Sequence, residues 1–294
     1  ATALIVVLGV RKGIENFGKV MMPLLFVLVI LIAVRAATLP GAGEGFAYLF
    51  RPDFSKITPE VCAAALGQGF FSLSVGFGIM LTYASYMNKS DSIGKSSLLI
   101  ATSDLLFALI ASCAIMPAVF AFGLSPEAGP SLLFEVLPFI FSQMPAGGVI
   151  AILFFVALLV AALTSSVSIL EVGVAWLVEE KHMSRKKASL VIFVGTWILG
   201  VICSLSFGPL SHIRIFGDII FDFLDKFSSN VLMTVGALVI VLFVGWKMKK
   251  EDVRSEFTNG GTLRTEGRLF GIMYFIIRYA APAAILVIMI SNLI

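Results

Sequence analysis

Phe70-Phe71-Ser72-Leu73-Ser74-Val75-Gly76-Phe77-Gly78 lies midway along an apolar stretch and sets two serines and two glycines where a continuous helix gains nothing from them. In hydrocarbon no water satisfies backbone N–H and C=O groups, so irregular backbone persists only where protein packs it or where it lines a cavity. The pattern predicts a helix broken near 72–78. Such a break frees carbonyls for a cation and leaves half-helix ends whose dipoles face a bound charge. The nine residues alone leave a second reading open, an unbroken helix whose glycines only allow close packing.

The rest of the chain shares this apolar character. Its 294 residues are 59% hydrophobic and 13% charged, with a mean hydropathy of +1.03, against the roughly 25% charged residues of a soluble domain. A membrane-spanning helix needs about 20 mainly apolar residues. Seven stretches qualify, at 17–38, 61–87, 96–122, 147–178, 186–207, 229–247 and 269–293, so the fold class is an all-α membrane protein. Leu132–Phe141 carries Glu135 and Pro138 and is too short to span, which predicts a helical loop at the membrane surface. The opening ATALIVVLGV runs straight into charges without the basic flank of a signal peptide, and reads as the tail of an eighth helix. Cys62, Cys113 and Cys203 stand singly in apolar stretches and are expected to act as small buried residues.

Threading seven helices sorts the cations. Arg11, Lys12, Lys19, Lys89, Lys95, Lys181, Arg185, Lys186, Lys187, Lys247, Lys249, Lys250, Arg254, Arg264 and Arg268 fall on one side. Only Arg35, Arg51, Lys56, Arg214 and Lys226 fall on the other. The positive-inside rule then places the first set in the cytoplasm and the C-terminus outside. On this threading the glycosylation sequon at Asn88 faces the cytoplasm.

Two further polar clusters sit at membrane depth. Asp104 is nine residues in from Lys95, about 13 Å along a helix, and an intramembrane carboxylate usually faces a cavity or an ion path. An Asp held neutral or reaching to water is the alternative. Ala161, Thr164, Ser165 and Ser168 are spaced i, i+3, i+4 and i+7 and share one helix face. Their hydroxyls either bond their own helix carbonyls at a packing interface or join a carbonyl in the oxygen shell a hard cation prefers. No enzyme is indicated: His182 and His212 lie in loops, and the hydrolase, zinc-protease, phosphate-loop and dinucleotide patterns are missing from the sequence. No nucleic-acid partner is expected.

GQGFFSLSVGFGIMLTYASY (67–86), RKGIENFGKVMMP (11–23), LTSS (163–166) and NGGTLRTEGRLFGIMYFIIRYAAP (259–282) together resemble the neurotransmitter:sodium symporter family, in particular its bacterial amino-acid transporters. The resemblance covers the whole chain. It implies one N-terminally truncated transporter domain over 1–294, from the end of helix four through helix eleven, with helices one to four as missing partners. It also implies sodium-coupled uptake of a small amino acid across the cell's inner (plasma) membrane by alternating access, and no transport by this chain alone.

Site roles follow from the same resemblance. Ser72 and Asp104 would serve a first sodium site, and the Ala161 carbonyl with the Thr164 and Ser165 hydroxyls a second. Phe71, Ser72, Ser74, Phe77, Ser165 and Ile169 would line the amino-acid pocket, with the Phe71 and Ser72 carbonyls and the Ser74 hydroxyl receiving the ammonium. Asp225 would be the outer gate acid, and Gly13 and Pro23 would let a helix end unwind. By ungapped counting from Ser74, Asp104 replaces a sodium-binding asparagine of the family and Ala108 replaces its chloride-binding serine or bacterial glutamate. Asp104 is therefore expected to supply the negative charge itself, so that chloride is not required. The rival readings are a proton-coupled carrier of similar fold with Asp104 as relay, or a non-transporting, channel-like assembly. A channel wants a continuous polar stripe or charged ring, whereas this sequence offers local clusters.

Overall fold

The computed structural model describes residues 1–88, 90–124 and 132–291. α1 (Thr2–Val7) is stopped by Gly9, whose φ of 89° no helix accepts, and a π-helical stretch (Val10–Glu15) leads into α2 (Asn16–Ala37). α3 (Ala42–Phe50) is a short helix missed by the apolar-length criterion. The predicted broken segment is realised as α4 (Pro59–Ser72) and α5 (Ile79–Ala84). Its start is well specified: the Thr58 hydroxyl accepts the Val61 N–H at 3.3 Å and Pro59 occupies the first turn, where its missing N–H costs nothing. A hydrogen bond from Thr58, helped by the backbone, holds the Glu60 carboxyl below its ordinary value.

α6 (Ile93–Ala121), α7 (Leu137–Gln143), α8 (Gly147–Glu179) and α9 (Arg185–Leu205) follow. A hairpin pairs β1 (Arg214–Ile215) with β2 (Asp218–Ile219), Arg214 opposite Ile219. α10 (Ile220–Lys226) and α11 (Met233–Leu242) are joined by a π-helical turn and read as one span. The polar α12 (Lys250–Phe257) precedes α13 (Arg264–Phe275), which runs through a π-helical turn (Ile276–Ala280) into α14 (Ala281–Ser291).

Among the described residues six helices are long and apolar enough to cross a membrane: Lys12–Ala37, Ile93–Ala121, Gly147–Glu179, Arg185–Leu205, Ile220–Lys247 and Gly267–Ser291. The seventh predicted segment is excluded from that set by its own break, which leaves pieces of 14 and 6 residues. The span predicted at 229–247 begins earlier, at Ile220, because Asp222, Asp225 and Lys226 are tolerated in an end turn exposed to water. Cys62 is a correction, since it is exposed rather than buried. The apolar context of its sequence does not imply burial within this chain.

Two compact units make up the chain. The first comprises residues 1–54 and 102–168. Its core joins Leu25, Leu28, Val29 and Ile32 of α2 to Ala114, Ala118 and Val119 of α6 and to Phe154, Ala157 and Val160 of α8. Leu137, Ile140 and Phe141 of α7 complete it, all nearly fully buried. The segment expected as a helical loop at Leu132–Phe141 is helical, and its apolar face packs on this core. The second unit comprises 55–101 and 169–294. There α4 and α11 both pack on α14, whose Ile285 and Ile288 are buried.

Within the first unit α3 crosses α6 backbone to backbone. A methyl on Gly45 would lie 2.5 Å from the Pro117 Cα and 2.7 Å from the Met116 carbonyl oxygen, whereas Gly43 has open space. Backbone cannot yield as a side-chain tip can. Gly45→Ala is expected to cost about 1–3 kcal/mol, read as a lower thermal midpoint in detergent. Gly43→Ala is expected to leave the midpoint unchanged or raise it, because alanine is the better helix former.

Candidate functional site

The break is built from a few hydrogen bonds and one close packing contact. α4 closes with the Leu73 N–H donating to the Gly69 carbonyl at 3.1 Å, and the Ser74 and Val75 N–H groups turn back to the Phe71 and Phe70 carbonyls, each at 3.0 Å. Ser74 is left-handed at φ 53°, Gly76 at 94° and Gly78 at 80°. A left-handed serine is uncommon and persists where surroundings over-determine it. The surroundings here are α11: a Cβ on Gly76 would stand 2.0 Å from the Met233 carbonyl oxygen, and one on Gly236 would stand 2.4 Å from the Gly76 carbonyl oxygen. Only glycine at both positions lets the broken strand of backbone lie directly on that helix.

These turns gather Phe71, Ser72, Ser74 and Phe77 on one short stretch of the second unit. The C-terminal end of α4 carries partial negative charge and suits a cation or ammonium. Each carbonyl has two lone pairs, so the Phe71 carbonyl, though it accepts the Ser74 N–H, retains one. Phe71 is exposed and Phe77 half-buried. Ile169 is also exposed and lies in the second unit, as does Asp225, exposed on α10, whose carbonyl accepts the Ser229 hydroxyl at 2.6 Å.

The other predicted residues belong to the first unit. Asp104 is half-buried on α6, eleven residues past Ile93 and so about 16 Å along the axis. On α8 the Thr164 hydroxyl donates to the Ala161 carbonyl at 2.8 Å and Ser168 donates to Thr164 at 3.1 Å. The hydroxyls are thus back-bonded to their own helix, which is the packing reading, yet a donating hydroxyl keeps its oxygen lone pairs for a cation. Ser165, on the same stripe, is exposed. The neighbouring Ser166 hydroxyl meets Thr2 of α1 at 2.8 Å. Gly13 stands in the π-helical stretch, where a Cβ would lie 2.0 Å from the Ile5 carbonyl oxygen, and Pro23 sits inside α2. Helix therefore continues across the interval between them. Among the described residues no three His, Cys, Asp or Glu side chains cluster as a metal cage, and the oxygen donors offered are the hydroxyls and carbonyls that suit a hard cation.

One functional group escaped the sequence reading. Glu171 on α8 is completely buried. Its Oε1 accepts the Tyr86 hydroxyl at 2.6 Å and its Oε2 meets an Arg185 guanidinium nitrogen at 2.5 Å. Tyr86 ends the broken segment and Arg185 begins α9, so one carboxylate ties three segments of the second unit together at a single end. The signal was present: the stripe at 161, 164, 165 and 168 continues at i+3 to Glu171, a carboxylate in an apolar helix.

Breaking a buried pair leaves an uncompensated charge and costs about 3–5 kcal/mol. Arg185→Ala is accordingly expected to lower the thermal midpoint in detergent strongly. Glu171→Gln together with Arg185→Ala is expected to recover much of the loss, because no buried charge is then left unmatched. Equal losses in the single and double variants would rule out the coupling.

The model of the sodium:neurotransmitter symporter family matches residues 1–294. Over 291 residues the chain is 43% identical to the uncharacterised sodium-dependent transporter YhdH of Bacillus subtilis (strain 168), covering 99% of this chain and 64% of that protein. It is 40% identical over 287 residues to an uncharacterised sodium-dependent transporter of Haemophilus influenzae, covering 97% of this chain and 62% of that protein. The crystal structure of MhsT in complex with L-phenylalanine superposes with a TM-score of 0.86 at 43% identity, over 99% of this chain and 65% of MhsT. The chain therefore spans just under two thirds of the length of these relatives. With the family model matched from end to end, around a helix broken where the serine and glycine pattern of residues 70–78 predicts, the chain belongs to the sodium:neurotransmitter symporter family.

Proposed function

We propose that the protein to which this chain contributes is a sodium-coupled symporter that brings a small amino acid into the cell by alternating access around the break at 73–78. The observation that carries this reading is the broken helix itself: carbonyls at the end of α4 and the left-handed Ser74 present oxygen groups in the middle of an apolar segment. Membership of a sodium symporter family and two relatives named as sodium-dependent transporters support the choice of ion. The L-phenylalanine held by MhsT supports an amino acid as substrate.

In this reading residues 1–294 act as one transporter domain in the plasma membrane, with the Lys181 and Lys247 loops in the cytoplasm and the C-terminus outside. Ser72 and Asp104 give oxygens to the first sodium, and Ala161, Thr164 and Ser165 give oxygens to the second. Ser72 and Ser74 receive the substrate ammonium, and Phe71, Phe77, Ser165 and Ile169 line the pocket for its side chain. Asp225 closes the outer entrance. Unwinding between Gly13 and Pro23 releases the second sodium inward, since both residues weaken the helix they interrupt. Asp104 supplies a fixed negative charge beside the first sodium, so chloride is dispensable.

The test is uptake by the protein at the full length of its relatives, reconstituted in proteoliposomes. Radiolabelled L-phenylalanine or another apolar amino acid is expected to accumulate only under an inward sodium gradient. Replacing chloride with gluconate is expected to leave the rate unchanged. Asp104→Asn is expected to lose that chloride independence and to weaken the sodium dependence. Accumulation driven by a proton gradient without sodium would instead make Asp104 a proton relay.

A further inference from the structure

Arg278 stands inside the apolar span Gly267–Ser291, where an ionisable side chain is expensive and calls for a partner. Among the described residues no carboxylate pairs with it. Aromatic faces answer it instead. Its guanidinium carbon lies 4.8 Å from the ring centre of Trp246, 5.7 Å from that of Tyr279 and 5.9 Å from that of Tyr274, within reach of a cation–π attraction. Its Nη1 also donates to the Tyr274 hydroxyl at 3.4 Å.

The backbone shows why these side chains meet. Pro282, four residues on, has no N–H to offer the Arg278 carbonyl, and the helix there takes the π-helical form of Ile276–Ala280. The Trp246 indole donates to that carbonyl at 3.0 Å. Trp246 belongs to a π-helical turn of its own, Phe243–Lys247, which ends a helix and so carries carbonyls without a helical donor. One of them, Gly245, accepts the Tyr274 hydroxyl at 3.1 Å. Each helix thus supplies the donor that the other's carbonyl lacks. The two backbones are in contact here, since a Cβ on Gly245 would stand 3.0 Å from the Arg278 Cα.

α11 precedes the first of these turns, α14 follows the second, and the two helices pack together, so they run antiparallel away from the clasp. Gly236 lies about 14 Å back along one helix and Ile288 about 15 Å forward along the other, which sets them at a similar level. The broken segment rests on both. Gly76 is docked on Gly236, and a Cβ on Gly67 of α4 would meet the Ile288 side chain at 3.7 Å. A slip of one residue at the clasp would move one support past the other by about 1.5 Å, and the backbone contact at Gly76 leaves no space to absorb it. We propose that Trp246, Tyr274 and Arg278 are positioning residues for the break: their clasp sets the register of α11 against α14 and thereby holds the α4 carbonyls and Ser74 in place. Its effect on substrate rests on the reading of 73–78 as the binding site, whereas its effect on the backbone of that turn does not.

Hydrogen exchange read by mass spectrometry, on the protein at the full length of its relatives in detergent, tests this. Trp246→Phe keeps a ring beside Arg278 and removes one donor, and Tyr274→Phe removes the other. Each is expected to speed exchange of the Leu73, Ser74 and Val75 amides about tenfold while leaving the amides of α2, in the first unit, unchanged. Tyr279→Phe removes neither donor and is expected to leave residues 70–78 as they were. In sodium-dependent binding of radiolabelled L-phenylalanine, the first two variants are expected to raise Kd about tenfold and Tyr279→Phe to leave it unaltered. Exchange at 70–78 that stays unchanged in both variants, or that rises only together with exchange in α2 as the thermal midpoint falls, would overturn the proposal. Absence of binding by the unsubstituted protein would count against the substrate reading, and the exchange of 70–78 would then decide the clasp by itself.

Discussion

The rest of this structure depends on one constraint: inside hydrocarbon each backbone N–H and C=O must find a partner within the protein. Long helices meet it residue by residue, which is why six spans run for 21 to 33 residues. The interval 73–78 cannot meet it in that way. The amides of Leu73, Ser74 and Val75 turn back on the α4 carbonyls, and Gly76 is pressed against α11 so closely that neither Gly76 nor Gly236 has room for a methyl. The irregular backbone is therefore protected by a neighbouring helix rather than by regularity. Oxygen atoms can face a ligand there without the whole segment unravelling.

The same constraint explains what the sequence revealed. A spanning helix needs about 20 apolar residues in a row, a signal long enough to survive local noise, so α2, α6, α8 and α9 stood where their apolar runs predicted. Ser72, Ser74, Gly76 and Gly78 pointed to the break, with glycines that merely allow close packing as the competing reading. Short elements carried no such signal. The nine residues of α3 and the seven of α7 owe their helicity to packing in the first unit, and apolar length said only that α7 could not span. Nothing local distinguishes an apolar face left exposed by this chain from one packed within it, which is why Cys62 is exposed against expectation and the contact of Gly76 on Gly236 was invisible. That contact is a property of two segments some 160 residues apart.

Carboxylates at membrane depth divide by what answers them. Glu171 is matched within the protein: one oxygen meets a guanidinium and the other a phenol, so its charge is committed to holding three segment ends together. A carboxylate so engaged has little left to offer a mobile cation. A buried ion pair is also a weak source of net stability, because desolvation offsets most of the Coulomb gain. Its value lies in geometry, since the pair exists only while the end of the broken segment, α8 and α9 keep their register. The sequence reading had looked to Asp104 as the charge that serves an ion. The structure adds a second acidic group whose charge is already paired.

Both features act on the two ends of the same segment. At the upstream end, left-handed Ser74 stores of order 1–3 kcal/mol of backbone strain, offset by the docking of Gly76 on α11. At the downstream end, Tyr86 is fastened to Glu171. A cation or ammonium held at the α4 carbonyls would favour the conformation in which those carbonyls converge, and a ligand shifts an equilibrium only by its differential affinity for the two states. A change at the break must either slide Gly76 over Gly236 or pull on α5 and Tyr86. The first is limited by backbone contact with no side chain to yield. The second meets a pair of hydrogen bonds that can break and reform. The six residues of α5, rather than the docked turn, are thus the part of this segment best placed to convey occupancy of the break to the membrane face where Arg185 lies.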